Sequence, residues 1–225
     1  MTRASGTAAD VRRVLLEGIL KSSPIIPVLT IDRVEDAVPL ARALVAGGIT
    51  GLEVTLRTPA APAAAAAIVQ SVPEAVLGLG TVLTPQDLDA ARGLQARFVV
   101  SPGATPDLLD AAAEGDLPLL PGVQTASEVM AALARGFEVL KFFPAGQAGG
   151  PAMLRALVGP FPQVRFCPTG GVGEDNFVEW LALPNVVAVG GSWLAPAAEV
   201  RAGDWTSITA RARRAVTKLR QAKVP

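Results

Sequence analysis

Gly51-Leu52-Glu53-Val54-Thr55-Leu56-Arg57-Thr58 alternates with a period of two, so that Leu52, Val54 and Leu56 share one face and Glu53, Thr55 and Arg57 the other. Around this stretch, short β-branched and aliphatic runs alternate with helical segments at intervals of roughly two to three dozen residues, the rhythm of a parallel α/β protein. The expected strands are Ile25 to Leu29, Gly51 to Leu56, Ala75 to Gly78, Arg97 to Ser101, Leu117 to Leu120, Glu138 to Phe143, Val164 to Pro168 and Val186 to Val189. Expected helices lie between them, at Val34 to Ala46, Pro59 to Ser71, Pro85 to Gly93, Pro106 to Glu114, Ala126 to Arg135, Pro151 to Val158 and Glu174 to Leu183. Thr58, Thr84 and Thr105 each precede a proline, as an N-cap precedes Pro at the first helical position, and Gly47, Gly93 and Gly136 are expected C-caps. About eight such units in one chain predict a (β/α)₈ TIM barrel, one domain over residues 1–225. Ala8 to Leu20 forms an extra N-terminal helix, and Trp205 to Lys218 closes the end. An open doubly wound sheet is the alternative, but Gly78-Leu79-Gly80-Thr81 lacks the third glycine of a dinucleotide fingerprint and follows the third strand rather than the first.

In a barrel, a strand is covered on both sides. Leu52, Val54 and Leu56 then face the helices, while Glu53 and Arg57 point into the barrel or its mouth. The same parity on Glu138-Val139-Leu140-Lys141-Phe142-Phe143-Pro144 sends Leu140 and Phe142 outward and Val139, Lys141 and Phe143 inward. Lys141 is the only lysine between Lys21 and Lys218, and all but four of the twenty basic residues are arginine. A positive charge alone was available from the commoner residue. Lysine adds an amine that can lose its proton when desolvated and then attack a carbonyl carbon, which makes Lys141 a candidate Schiff-base nucleophile. Two plainer readings stand beside it: a lysine stem packed along the strand with its ammonium reaching solvent, and a Glu53–Arg57 ion pair at a strand end. Three ionisable groups in one apolar-walled cavity are what catalysis asks for and packing does not.

Composition narrows the function classes. The 225 residues are 50% hydrophobic, enough for a sizeable core, and 20 acids balance 20 bases without a block of like charge. That balance argues against nucleic-acid and membrane partners and for small molecules. One cysteine, Cys167, leaves no internal disulfide and reads as a small buried residue, and no secretory leader is evident, so a cytoplasmic location is expected. Histidine is absent, which removes the usual imidazole acid/base and the commonest transition-metal ligand together. No metal is therefore expected, and no cofactor is expected either. Cys167-Pro168-Thr169-Gly170-Gly171-Val172 and Val189-Gly190-Gly191-Ser192 end the last two expected strands, where barrel enzymes commonly hold a phosphate on side-chain-free backbone N–H groups. Gly47-Gly48 and Gly149-Gly150 read as structural turns, and Trp180, Trp193 and Trp205 as packing.

Beyond these readings, six segments, Gly51 to Thr58, Gly80-Thr81-Val82-Leu83, Ser101-Pro102-Gly103, Lys141 to Ala145, Arg165 to Gly171 and Gly190 to Leu194, resemble 2-keto-3-deoxy-6-phosphogluconate aldolase over nearly the whole chain. The resemblance implies that Lys141 forms a Schiff base, that Glu53 carries protons, and that Arg57 and Thr81 hold a pyruvate carboxylate. It also implies phosphate contacts from Gly170, Gly171, Gly191 and Ser192, a substrate-lining Phe143, and a homotrimer. The substrate would be a phosphorylated keto acid, cleaved to pyruvate and glyceraldehyde 3-phosphate. A 4-hydroxy-2-oxoglutarate aldolase, a 2-keto-3-deoxy-6-phosphogalactonate aldolase, a pyridoxal-phosphate enzyme and a non-catalytic phosphate-binding barrel remain as alternatives.

Overall fold

The computed structural model describes residues 7–222. Parallel strands β1 (Ile25–Leu29), β2 (Gly51–Thr55), β3 (Val76–Gly80), β4 (Phe98–Val100) and β5 (Leu119–Leu120) form one ladder, which β9 (Val189–Gly191) joins beside β1. A second ladder holds β6 (Gly122–Val123), β7 (Val139–Phe142) and β8 (Arg165–Pro168). Pro121 separates β5 from β6, so these are two pieces of one barrel strand interrupted where a residue has no N–H to give. The ring closes between β8 and β9 through the bridges Phe166↔Val186 and Thr169↔Gly190. The expected barrel is therefore present, with β7 as its sixth strand.

Helices α1 (Ala8–Ser22), α2 (Val34–Ala46), α3 (Ala61–Ser71), α4 (Pro85–Gly93), α5 (Pro106–Glu114), α6 (Ala126–Leu133), α7 (Gly150–Leu157), α8 (Phe177–Leu181), α9 (Ala197–Ala202) and α10 (Trp205–Gln221) accompany the strands. Thr84 and Thr105 cap α4 and α5 as expected, each side chain accepting a backbone N–H from the first turn. At α3 the structure differs from the expected Thr58 cap: Ala60 is the N-cap, and Thr58 instead donates its hydroxyl to the Ile31 carbonyl. Two of the expected C-caps also moved. Gly93 is still helical and Leu94 is the cap, while Gly136 lies beyond cap Ala134 with φ +81. The eighth strand begins later than expected, at Val189, because Val186 makes only an isolated bridge. Short α9 had no periodicity long enough to read.

Two apolar clusters follow from the strand parity. The larger one joins outward strand residues such as Leu52, Val54, Leu140 and Phe142 to the helices, and includes Leu40, Leu44, Ile68, Leu109 and Leu154. The smaller one fills the barrel: Ile26, Phe98, Val100, Leu120, Val139, Cys167 and Ala188, with Leu16 and Leu20 of α1. Helix α1 is thus the floor of the barrel, pressing Leu16 and Leu20 against its interior. Phe98 occupies the middle, where Gly78 on the neighbouring strand leaves it space; a Cβ on Gly78 would lie 2.3 Å from the ring.

Because Leu20 is fully buried and Val14 on the same helix is 60% exposed, Leu20→Ala should lower the unfolding free energy by about 2–5 kcal/mol while Val14→Ala stays within about 0.5 kcal/mol, as read by urea denaturation.

Candidate active site

Lys141 and Glu53 come from strands on opposite sides of the ring, 88 residues apart in sequence, and Nζ donates to Oε1 across 3.5 Å. Each residue is only 2% exposed. Such a pair loses several kcal/mol of hydration per ion on burial, and removing one partner leaves the other uncompensated. The amine also lies 5.1 Å from the centroid of the Phe143 ring, within cation–π range. Lys141 therefore sees a carboxylate on one side and an aromatic face on another, and its ammonium does not reach bulk water.

Backbone pairing fixes where the amine emerges. Lys141 pairs with Gly122 on one side and Cys167 on the other, and its N–H donates to the Pro121 carbonyl at 2.9 Å. Gly122 is itself pinned: its N–H donates to buried Ser101 Oγ, and a Cβ there would meet the Pro102 carbonyl carbon and oxygen at 2.3 Å. Neither Ser101 nor Gly122 stood out as a support of the lysine from spacing alone. Cys167, beside Lys141, is a buried thiol pushed up to about 12, chiefly by desolvation. It stays protonated at neutral pH and does not compete with the amine as a nucleophile.

Arg57 and Thr81 form the next layer outward. Arg57 Nε donates to Thr81 Oγ1 at 3.0 Å, and Thr81 adopts φ +60, a left-handed conformation that is costly for a residue with a branched Cβ. Strain of that kind persists only where the surroundings hold it in place. The expected single cavity for all three charges is corrected here: Arg57 is exposed at the rim, because β2 ends at Thr55 and Leu56-Arg57 already belong to a turn. Thr55, fully buried, gives its hydroxyl to the Leu29 carbonyl at 2.9 Å and lines the wall between Glu53 and the rim.

The two glycine pairs differ in kind. Gly170 and Gly171 follow β8 with φ +90 and +78, a loop conformation that side chains would strain, and Gly171 packs against Gly146. Gly190 and Gly191, by contrast, belong to β9. A Cβ on Gly190 would sit 2.3 Å from Thr169 Oγ1, and one on Gly191 would sit 2.1 Å from the Trp193 ring. Their lack of side chains is accounted for by packing, while still leaving bare backbone at the barrel mouth. Ser192 follows immediately and is exposed. Among the described residues no three Cys, Asp or Glu side chains cluster so as to hold a metal ion.

Comparison with known proteins places this arrangement. The family model for KDPG and KHG aldolase matches residues 16–211. The KHG/KDPG aldolase of Escherichia coli strain K12 is 52% identical over 200 residues, covering 89% of this chain and 94% of that protein. Among solved structures, KDPG aldolase from Legionella pneumophila, with pyruvate captured at low pH as a covalent carbinolamine intermediate, superposes with a TM-score of 0.86 at 47% identity, covering 88% of this chain and 96% of that one. The 2-keto-3-deoxy-6-phosphogluconate aldolase of Zymomonas mobilis, solved with 3-phosphoglycerate, gives a TM-score of 0.85 at 45% identity, covering 89% and 94%. With its barrel, its buried lysine–glutamate pair and these likenesses together, the chain belongs to the KDPG and KHG aldolase family.

Proposed function

We propose that this chain is a Schiff-base aldolase that cleaves 2-keto-3-deoxy-6-phosphogluconate to pyruvate and glyceraldehyde 3-phosphate. The observation that carries the reading is the Lys141 amine held 3.5 Å from the Glu53 carboxylate inside the barrel. A buried ion pair of this kind contributes little net stability, so its presence is better explained by reactivity than by packing. Support comes from the pyruvate carbinolamine in the Legionella pneumophila relative and the phosphorylated ligand in the Zymomonas mobilis one.

In the reaction, the neutral Lys141 amine adds to the C2 ketone, and loss of water from the carbinolamine gives an iminium. Glu53, directly or through a water, takes the proton of the C4 hydroxyl. The C3–C4 bond breaks, its electrons reduce the iminium to an enamine, and C4 leaves as the aldehyde. Protonation at C3 and hydrolysis then release pyruvate and restore the amine. Arg57 and Thr81 orient the carboxylate, Arg57 through a two-pronged contact. Gly170, Gly171, Gly191 and Ser192 hold the phosphate, so binding energy far from the scissile bond positions the reacting carbons. Phe143 lines the pocket beside the amine and helps exclude water from it.

Because the Escherichia coli relative is named for both substrates, the second reading is a dual activity on 4-hydroxy-2-oxoglutarate, which needs Lys141 and Glu53 but no phosphate site. Residues 1–225 would act as one catalytic domain in a homotrimer within the cytoplasm. No described helix is long and apolar enough to cross a membrane, and exposed Leu83 and Met130, at 53% and 61%, are apolar surface that an interface would cover. Sedimentation equilibrium reads the subunit number directly.

Borohydride reduction in the presence of pyruvate should add a reduced pyruvyl group to Lys141, located by peptide mapping, and Lys141→Arg should remove both the adduct and cleavage. An unmodified residue 141 in protein that still cleaves the sugar acid would sink the reading. Glu53→Gln should keep the adduct and slow cleavage by about 10²–10⁴-fold, the usual worth of a positioned acid/base. Ser192→Ala should raise KM for the phosphorylated substrate and leave kcat/KM on 4-hydroxy-2-oxoglutarate near the wild-type value in a coupled pyruvate assay.

A further inference from the structure

Gly80 ends β3, the strand beside Glu53's own, and pairs in register with Thr55. Its φ lies outside the left-handed region, so its backbone suits any residue. What excludes a side chain is space. A Cβ built there would lie 2.1 Å from Glu53 Oε1 and 2.7 Å from both Cδ and Cγ, and the three atoms nearest to it all belong to Glu53. The carboxylate arm therefore rests across the bare backbone of Gly80. That oxygen, Oε1, is the one facing Lys141 Nζ at 3.5 Å.

We infer that Gly80 is a positioning residue of the aldol reaction: the absence of its side chain opens the slot in which the Glu53 carboxylate reaches the Lys141 amine and the substrate bonded to it. The role rests on the proton-carrying Glu53 proposed above. It differs from the role of Gly78 two residues earlier, whose missing side chain makes way for the Phe98 ring and so serves the core. It differs also from Thr81, which reaches Arg57 at the rim. Successive residues at the end of one strand thus divide the work, Gly80 by leaving space for the carboxylate and Thr81 by meeting the guanidinium.

The three nearest obstructing atoms all belong to one flexible side chain and none of them is backbone, so the protein can accept a methyl group at position 80 by swinging Glu53 aside. The fold then survives and the proton carrier is misplaced. A displacement on the order of 1 Å at a reacting group costs on the order of 10²-fold in rate.

The test is a four-member cycle of wild type, Gly80→Ala, Glu53→Ala and the double variant. Each is read by pyruvate trapping on Lys141 with borohydride, by kcat and KM for cleavage, and by thermal midpoint. Gly80→Ala should trap pyruvate like wild type, keep its KM within about threefold, and lose on the order of 10²-fold in kcat. Added to Glu53→Ala it should change neither the residual rate nor the midpoint, because the clashing carboxylate is gone. Wild-type kcat in Gly80→Ala, or an equal fractional loss from Gly80→Ala in both backgrounds, would overturn the inference. Should Gly80→Ala alone prove unstable, recovery of folding in the double variant supports the slot, and failure of both to fold refutes it. Absence of trapping in wild-type protein counts against the aldolase reading instead, since the coupling of positions 53 and 80 is still read from the midpoints.

Discussion

One charged pair sets the terms for the rest of this molecule. Lys141 and Glu53 face each other across the barrel interior at 3.5 Å, both almost fully withdrawn from water. Both are buried in this arrangement, and their strands are registered closely enough that each satisfies the other. The surrounding structure supplies that register. β6 and β8 flank the lysine strand, Pro121 accepts its N–H, and Ser101 anchors Gly122 beside it. The large apolar shell between strands and helices carries the stability that a buried ion pair withholds.

Much of the barrel, on its inner and outer faces, is shaped by side chains that are missing. Gly78 admits Phe98, Gly80 admits Glu53, Gly122 admits the Pro102 backbone, and Gly190 and Gly191 admit Thr169 and Trp193. None of these five has a positive φ that would demand glycine for its own backbone. In a narrow parallel barrel, inward-pointing positions on adjacent strands compete for one volume, and a large residue on one strand requires a small one beside it. The floor follows the same logic: α1 fills the lower opening with Leu16 and Leu20, which leaves the upper opening for chemistry.

Polarity is layered along the barrel axis, with the Lys141–Glu53 pair buried in the interior and Arg57 exposed at the rim. In the interior, desolvation pushes the Cys167 thiol beside Lys141 up to about 12. At the rim, Arg57 keeps its hydration and meets Thr81. A guanidinium placed beside the amine at full burial would have required a second buried carboxylate. At the rim it needs none.

Local pattern was enough for a good part of this. Alternation in Gly51 to Thr58 revealed which face of β2 carries ions, parity aligned Lys141 with it, and spacing of strands and helices foretold the barrel, because period and turn chemistry are properties of neighbours in the chain. Cap positions and strand ends were less legible: Thr58 turned to the Ile31 carbonyl instead of capping α3, and β2 ended one residue early, leaving Leu56 in a turn. The purposes of Gly80, Ser101 and Gly122 depend on atoms of other strands, and no window of the chain contains both partners. The sequence by itself determined which residues bear charge and which way each strand faces. Only the tertiary structure decided which faces meet and at what distance, since closing the ring brings residues 53 and 141 together through contacts that span most of the chain.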